Sequence, residues 1–146
     1  MKFFLASIFM ILSINLMSQG LASFRWEHRL VLLITPDENE NLLQRQIDIL
    51  SEDKAGLKER KLQIIHIKPA EARLLLPEPG KLSLKKSDFE RFKPGESPFS
   101  FILIGLDGGV KLRRNEVVSR EYLYARIDGM PMRRAEMRSK KNKPQP

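Results

Sequence analysis

The chain has 146 residues and a formal net charge of +8, and it contains no cysteine. A chain of this length suits one domain whose core is large enough to be stable without cross-links. The lack of any thiol excludes disulfide bonds, thiol redox chemistry and thiolate metal sites.

The positive charge is concentrated near the C-terminus. From Arg133 onward there are six basic residues and a single acidic residue, Glu136. A local basic segment of this kind indicates a polyanionic partner or simply a solvated tail. Nucleic acid is not expected as a partner, because single-stranded nucleic acid sites interleave basic and aromatic residues and this segment does not.

The first 22 residues have the pattern of a signal peptide. Lys2 precedes the mostly apolar run Phe3–Leu16, and Gly20 and Ala22 are the small residues that predict cleavage after Ala22. The apolar run is shorter than the roughly 20 residues that span a bilayer, so an uncleaved anchor is the less favoured alternative. We therefore expect an exported protein, periplasmic or extracellular, that meets the membrane only transiently through its signal peptide.

Two buried strands are predicted on either side of a helix. Leu30–Thr35 and Leu62–Ile67 are nearly continuous apolar runs, and each is followed by a proline, Pro36 and Pro69. Such runs are typical of central strands covered on both faces. A helical connection between them predicts parallel pairing through a right-handed crossover.

The connecting helix is indicated by its apolar spacing. Leu43, Ile47 and Leu50 recur at intervals that place them on one helical face. Asp37 is the predicted N-terminal cap, and Gly56 is the predicted stop or break.

Residues 68–97 predict an irregular crossover. Four prolines exclude long regular elements: Pro69, Pro77, Pro79 and Pro94. One short helix is expected near residues 84–92. The Ser97–Pro98 bond precedes the next strand, and whether it is cis is left open.

A β-hairpin and a helical segment complete the domain. Phe99–Gly105 and Val110–Arg113 flank an Asp-Gly-Gly turn, which predicts the hairpin. Ser119 is the expected N-cap of a helix that ends at Gly129, and Pro131 opens another short helix. We predict a domain over residues 23–138 and a disordered basic tail over residues 139–146.

This order of elements predicts an α/β fold of the thioredoxin-like class. It runs strand, helix, strand, irregular crossover with a short helix, β-hairpin and helix, around a mixed central sheet. Three stretches, Arg25–Leu30, Leu103–Lys111 and Ile127–Arg134, resemble the thioredoxin-like, peroxiredoxin-like domain of unknown function found in secreted bacterial proteins and in sushi-repeat and related vertebrate extracellular-matrix proteins.

The resemblance implies a peroxiredoxin-like fold and export, and it implies no activity. The family often has a lysine where this chain has Leu106. Any role of that cation is therefore not transferred to this chain.

The residues give little support to an enzymatic reading. A redox thioredoxin fold places its cysteine at the first strand–helix junction, and the junction beginning at Thr35 is acidic and without sulfur. His28 and His66 are the only histidines, too few converging ligands to predict a metal site, and no cofactor is expected. His66 is expected to be a packed or edge residue of its strand, and Trp26, the only tryptophan, a core residue. An enzyme would need ionisable groups to converge, for example Asp107, Lys111 and Asp128.

The closing Met-Pro-Met-Arg-Arg motif offers two interpretations. In the functional one it is a docking segment, in which methionines give adaptable apolar contacts and arginines give forked donors. In the structural one, which we favour, the methionines seal the sheet and the arginines pair with Asp128 and Glu136. The candidate interaction residues, including two cations of the hairpin, are Met130, Met132, Arg133, Arg134, Lys111 and Arg113.

The sequence therefore predicts a non-enzymatic interaction module whose partner is an unknown protein. The alternatives are a thiol-independent, stress-related enzyme and polyanion binding through the basic tail. The oligomeric state is left open.

Overall fold

A six-stranded mixed sheet lies at the centre of the fold, with the spatial order β4-β3-β2-β1-β5-β6. In this computed structural model, the described residues are 20–36, 40–93 and 95–143. Most of the predicted signal peptide and the predicted cap Asp37 lie outside them. The strands are β1 (Arg29–Ile34), β2 (Leu62–Lys68), β3 (Glu71–Leu76), β4 (Gly80–Leu82), β5 (Ser100–Ile104) and β6 (Val110–Arg114).

Helices cover the two faces of the sheet. They are a 3-10 helix (Leu21–Phe24), α1 (Glu40–Ser51), α2 (Lys54–Glu59), α3 (Lys86–Phe92), α4 (Arg120–Asp128) and α5 (Pro131–Lys141). None of the helices in the described ranges is long and apolar enough to span a membrane.

Strand β1 lies in the middle of the sheet, and all of its residues are buried, as expected for a nearly continuous apolar run. It pairs in parallel with β2, as the helical connection predicted, and it also pairs antiparallel with β5. Alternation of its side chains divides the core in two. Val31 and Leu33 belong to the core that includes residues of α1, α2 and α4, and Leu30 and Leu32 belong to the core beneath the 3-10 helix and α3.

The crossover contains more regular structure than the prolines suggested. β3 pairs antiparallel with β2, and β4 pairs antiparallel with β3, so the prediction of an irregular segment with one helix is wrong for these two strands. The predicted helix is confirmed as α3. Among the described residues the cis peptide bond is Leu76–Pro77 and not Ser97–Pro98.

The helical connection between β1 and β2 is confirmed, but it is broken before Gly56. The first helix ends at Ser51, and Asp53 caps α2 by accepting a hydrogen bond from the Gly56 amide at 2.9 Å. A Cβ on Gly56 would lie 2.1 Å from Asp53 Oδ2 and 2.7 Å from the Tyr124 hydroxyl oxygen. The glycine therefore allows the cap and Tyr124 to approach α2, and it lies inside that helix rather than ending it.

The hairpin and the final helices follow the predicted signals. Gly108 has φ +80°, and the Asp107 carboxylate accepts the Gly109 amide hydrogen at 2.9 Å, which explains the turn sequence. The Ser119 hydroxyl caps α4 at the Tyr122 amide.

The last helix extends further than predicted. Helix α5 begins at Pro131 and continues to Lys141, so residues 139–141 are helical rather than part of a disordered tail. Basic side chains in the last turn, including Lys140 and Lys141, interact favourably with the negative end of the helix dipole. This gives a physical reason for the longer helix.

Candidate functional site

The structure separates the six candidate interaction residues into one buried arginine and five with exposed surface. Arg133 is 1% exposed. Lys111 and Met130 are half-buried, and the remaining three are exposed: Arg113, Met132 and Arg134.

Arg133 is held in a network of acidic groups. Its Nε donates to Asp128 at 3.0 Å, and its Nη2 donates to a Glu59 carboxylate oxygen at 2.8 Å. Nη1 donates to the Glu59 carbonyl at 3.1 Å and to Glu136 at 3.4 Å. Because every nitrogen of this guanidinium is engaged, Arg133 cannot dock a partner, and that part of the functional interpretation is wrong.

Two further arginines close the same network. Arg29, at the start of β1, is 1% exposed and pairs with Glu136 at 3.2 Å. Arg60 pairs with Asp128 at 2.8 Å, and its guanidinium lies 3.8 Å from the ring centroid of Tyr124. The three arginines thus join β1, α2, α4 and α5 at one end of the sheet.

The pKa shifts in this network favour the charged forms. Burial alone would raise the pKa of Asp128, but hydrogen bonds from Arg60 and Arg133 hold it below its ordinary value. The hydrogen bond from Arg133 likewise lowers the pKa of Glu59. Burial would lower the pKa of Arg133, yet its carboxylate partners raise it. The predicted pairs of Arg133 with Asp128 and Glu136 are confirmed. Arg134 is exposed and Met132 is 44% exposed, so the prediction that both arginines pair and both methionines seal the sheet is wrong for these two residues.

Two of the other candidates meet in one groove. Lys111 on β6 and Met130, between α4 and α5, both line an open depression of about 530 Å³. Val110, Arg126 and Pro131 line it as well, and we call these five residues the basic groove. The groove therefore unites a hairpin cation with a closing-motif methionine that the sequence had singled out separately.

Two polar contacts fix the positions of Lys111 and Arg126 in the wall of the basic groove. Lys111 Nζ pairs with Asp107 at 2.9 Å, and Arg126 Nη2 donates to the Lys111 carbonyl at 3.1 Å. Hydrogen bonds from Lys111 and from the Gly109 amide hold the pKa of Asp107 below its ordinary value. Val110 is 43% exposed, so an apolar side chain lies open between these polar groups.

Further cations follow the same strand. β6 is an edge strand, because β5 is its single neighbour in the described sheet. Arg113 and Arg114 on it are exposed, and Arg114 donates to the Tyr122 hydroxyl at 3.2 Å. Sequence analysis missed Arg126, whose position in the last turn of a helix gave no signal that it would reach the hairpin.

A hydroxyl that follows β1 and an imidazole on β2 form a buried hydrogen bond. Thr35 Oγ1 and His66 Nε2 lie 2.9 Å apart, and both residues are buried. Burial lowers the pKa of His66. The pair satisfies its hydrogen bond inside the core, which agrees with the reading of His66 as a packed strand residue.

Trp26 differs from its predicted position in the core. It is 58% exposed and has φ +69°, and its amide donates to the Leu106 carbonyl at 2.7 Å. The guanidinium of Arg25 lies 5.3 Å from its ring centroid. The interpretation of Trp26 as a core residue is therefore wrong.

The arrangement of strands and helices defines a thioredoxin-like fold of the peroxiredoxin kind. The chain is similar to the reduced 2-Cys peroxiredoxin of Plasmodium vivax, with 15% identity, a TM-score of 0.52, and coverage of 79% of this chain and 72% of that one. It is also similar to the mitochondrial 2-Cys peroxiredoxin of Plasmodium falciparum, with 11% identity, a TM-score of 0.49 and 86% coverage of both chains. Identities this low show the fold alone.

Residues 20–136 match the family described as a domain of unknown function, DUF4174, and the chain belongs to that family. No curated protein matches the chain significantly. The predicted fold class is confirmed, and the family carries no assigned activity.

Proposed function

We propose that this protein is an exported, non-enzymatic interaction module that binds an acidic segment of a partner protein in the basic groove. The observation that carries the proposal is the meeting of Lys111, Arg126 and Met130 in one open depression. A depression with cations and an exposed apolar side chain suits a segment that alternates acidic and apolar residues.

Charge complementarity favours an acidic occupant. Lys111, Arg113, Arg114 and Arg126 all lie on or beside the outer edge of β6. Asp107, the carboxylate nearest to the groove, is already paired with Lys111 and with the Gly109 amide. A partner carboxylate would therefore meet cationic groups rather than competing acids.

The distribution of ionisable groups supports a binding role over a catalytic one. Asp107 and Lys111 form one pair, whereas Asp128 is bound to Arg60 and Arg133 in the buried network. Asp107, Lys111 and Asp128, which the enzymatic alternative requires to converge, are thus divided between two clusters. This division is the reason for preferring binding.

A defined acidic peptide tests the proposal. A short, fluorescently labelled peptide of alternating glutamate and leucine is expected to bind the folded protein, and its lysine–leucine counterpart is not. Reversing two charges with Lys111→Glu/Arg126→Glu should weaken binding by more than about tenfold, because opposed like charges cost several kcal/mol. Fluorescence anisotropy at low and physiological ionic strength measures both affinities.

The matched control reverses charge at the other edge of the sheet. Lys81→Glu on the exposed part of β4 should leave the peptide affinity unchanged. Equal losses in both variants would show a general charge effect and contradict the proposal. Loss on Lys140→Ala/Lys141→Ala/Lys143→Ala, with binding retained by the groove variant, would instead assign polyanion binding to the C-terminal segment.

Export makes a second testable prediction, because the mature N-terminus affects the fold. Leu21 is 7% exposed within the core, and its amide donates to Asp88 at 3.3 Å. Cleavage after Ala22 would remove this side chain. Cleavage after Gly20, which leaves Ser18 and Gly20 as the small residues, would keep it and place the new amine beside Asp88.

We expect the exported chain to begin at Leu21. Intact mass spectrometry of the protein secreted by an expressing host measures the start directly. A chain that begins at Ser23 would favour the cleavage after Ala22, and a full-length chain would contradict processing altogether.

A further inference from the structure

A pocket of about 290 Å³ lies away from the basic groove, on the other face of the sheet. Leu30 and Ile104, which pair in register on β1 and β5, line it from the sheet. The 3-10 helix, α3 and the hairpin turn supply its other walls. Its volume is near the lower end of the range of about 300–1,000 Å³ that is typical of small-molecule sites. We call it the amino-terminal pocket.

The groups that remain unengaged around this pocket are cationic. Arg25 and Arg91 both line it, and neither guanidinium has a hydrogen-bond or ion-pair partner among the described residues. The two carboxylates in its wall are already engaged. Asp88 accepts the Leu21 amide hydrogen, and Asp107 accepts from Lys111 and from Gly109. Two guanidiniums with free donors therefore face one carboxylate, Asp88, that has no cationic partner among the described residues, and the net positive charge favours an anionic group.

A histidine adds a polar group inside the same wall. His28 lines the pocket, and its Nδ1 is buried without a hydrogen-bond partner in the described structure. Because this nitrogen has almost no accessible surface, it lies within the wall, and the pocket meets other atoms of the imidazole ring. Its ring lies edge-on to Phe24, with centroids 6.0 Å apart, so the imidazole is packed in place.

The rim of the pocket is positioned by strained and tightly packed backbone. Trp26 has φ +69°, an uncommon conformation for a bulky residue, and its amide is fixed to Leu106. This places the Arg25 side chain against the Trp26 ring and alongside Gly108 of the hairpin turn. Arg91 lies over the ring of Phe92, another pocket residue, at 4.9 Å. Backbone strain of this kind concentrates at functional sites.

We propose that the amino-terminal pocket binds a small organic carboxylate with a short apolar body. The carboxylate of the ligand would lie between the guanidiniums of Arg25 and Arg91, and the ring of His28 would form part of the adjacent wall. The apolar body would contact Leu30, Phe92 and Ile104, which are buried side chains of the pocket wall. The pocket and the basic groove lie against different faces of the sheet and meet at one ion pair, in which Asp107 of the pocket wall is bound to Lys111 of the groove.

Titration with hexanoate tests the assignment. The chain has two histidines, so the ring resonances of His28 can be followed with those of His66 as an internal reference. Hexanoate is expected to shift the His28 signals in NMR spectra and to leave the buried His66 unaffected. Hexanol and hexylammonium, which share the apolar body, should bind at least about tenfold more weakly, because they lack the charge-assisted hydrogen bonds.

Variants on exposed positions separate the pocket from general charge. In a chain that begins at Leu21, Arg91→Gln and the filling substitution Ala22→Trp should each weaken hexanoate binding by about tenfold or more. Arg45→Gln, which removes an exposed cation outside the pocket and the groove, should not. Thermal unfolding of each variant checks that it remains folded.

Each other outcome overturns the proposal. Equal binding of hexanol would reduce the site to an apolar pocket without anion selection. Tight binding of inorganic phosphate with no gain from an apolar body would assign a simple anion site. Absence of binding by all four compounds would show that the pocket has no such ligand.

Discussion

Replacing Arg133 with alanine is expected to lower the free energy of unfolding by about 2–4 kcal/mol, because a fully buried side chain leaves a cavity and its charge-assisted hydrogen bonds are lost. Asp128, Glu59 and Glu136 would all lose a donor from the same guanidinium. Urea denaturation followed by circular dichroism measures the change. A loss of this size is a large fraction of the 5–15 kcal/mol that is typical of native proteins.

The neighbouring residue provides a matched control. Arg134 is exposed on the same helix, so Arg134→Ala should change the unfolding free energy by no more than about 0.5 kcal/mol. Arg133→Lys should remain destabilised, because an ammonium cannot reproduce the forked contacts to several acceptors. Equal effects of the two alanine substitutions would contradict the structural role of Arg133. Under conditions where it is folded, Arg133→Ala should still bind the acidic peptide.

The contrast between Arg133 and Arg134 shows a limit of sequence reasoning. Identical residues side by side carry the same local signal, yet one is 1% exposed and the other faces solvent. The difference depends on Glu59, which precedes Arg133 by 74 positions and whose carbonyl and carboxylate both accept hydrogen bonds from it in the folded chain. Asp128 and Glu136, which are local, could be named as partners from the sequence.

The same reasoning explains which parts of the fold could be predicted. β1 has six buried residues in succession, and a local apolar run is sufficient to identify such a strand. β3 has a mixed burial pattern between two prolines, and it forms because β2 offers a free edge for pairing. Strand formation of that kind is decided by tertiary contacts more than by local preference.

The sequence indicated which residue types could form a site, but it could not show which of those residues lie together in the fold. Lys111 and Met130 were singled out for their charge and adaptability, but their meeting requires the turn at Gly129 to bring the two helices beside the hairpin. The amino-terminal pocket gave no local signal at all. Its two free guanidiniums belong to Arg25 and Arg91, which are 66 positions apart in the sequence and line the same pocket in the fold.

The fold retains a peroxiredoxin-like frame, and Thr35, which follows β1, is hydrogen-bonded to His66 on β2. Redox thioredoxin folds use the polarised N-terminus of the helix after the first strand to activate a thiolate. This chain has no cysteine for that chemistry, and its two candidate binding surfaces lie at β6 and beside the 3-10 helix.

Replacing Gln46 with methionine is expected to lower the unfolding free energy by about 2–5 kcal/mol, because it leaves two buried backbone groups without partners at about 1–3 kcal/mol each. Gln46 is fully buried on α1. Its Nε2 donates to the Val118 carbonyl at 2.9 Å, and its Oε1 accepts the Val118 amide hydrogen at 2.7 Å. The side chain thereby fixes the segment that leads from the hairpin into α4.

A second glutamine on the same helix distinguishes this clamp from a general effect of losing an amide. Gln44 is exposed and bonds to Asp48, so Gln44→Met should change stability by no more than about 0.5 kcal/mol. Methionine preserves the unbranched shape of glutamine and has a similar helix propensity, so neither packing volume nor helix formation should dominate the comparison. Equal stability of the two variants would show that Val118 finds other partners. A selective loss at Gln46 would show that one buried amide connects the first helix to the segment preceding α4, and thus helps to hold the hairpin and α4 that form the basic groove.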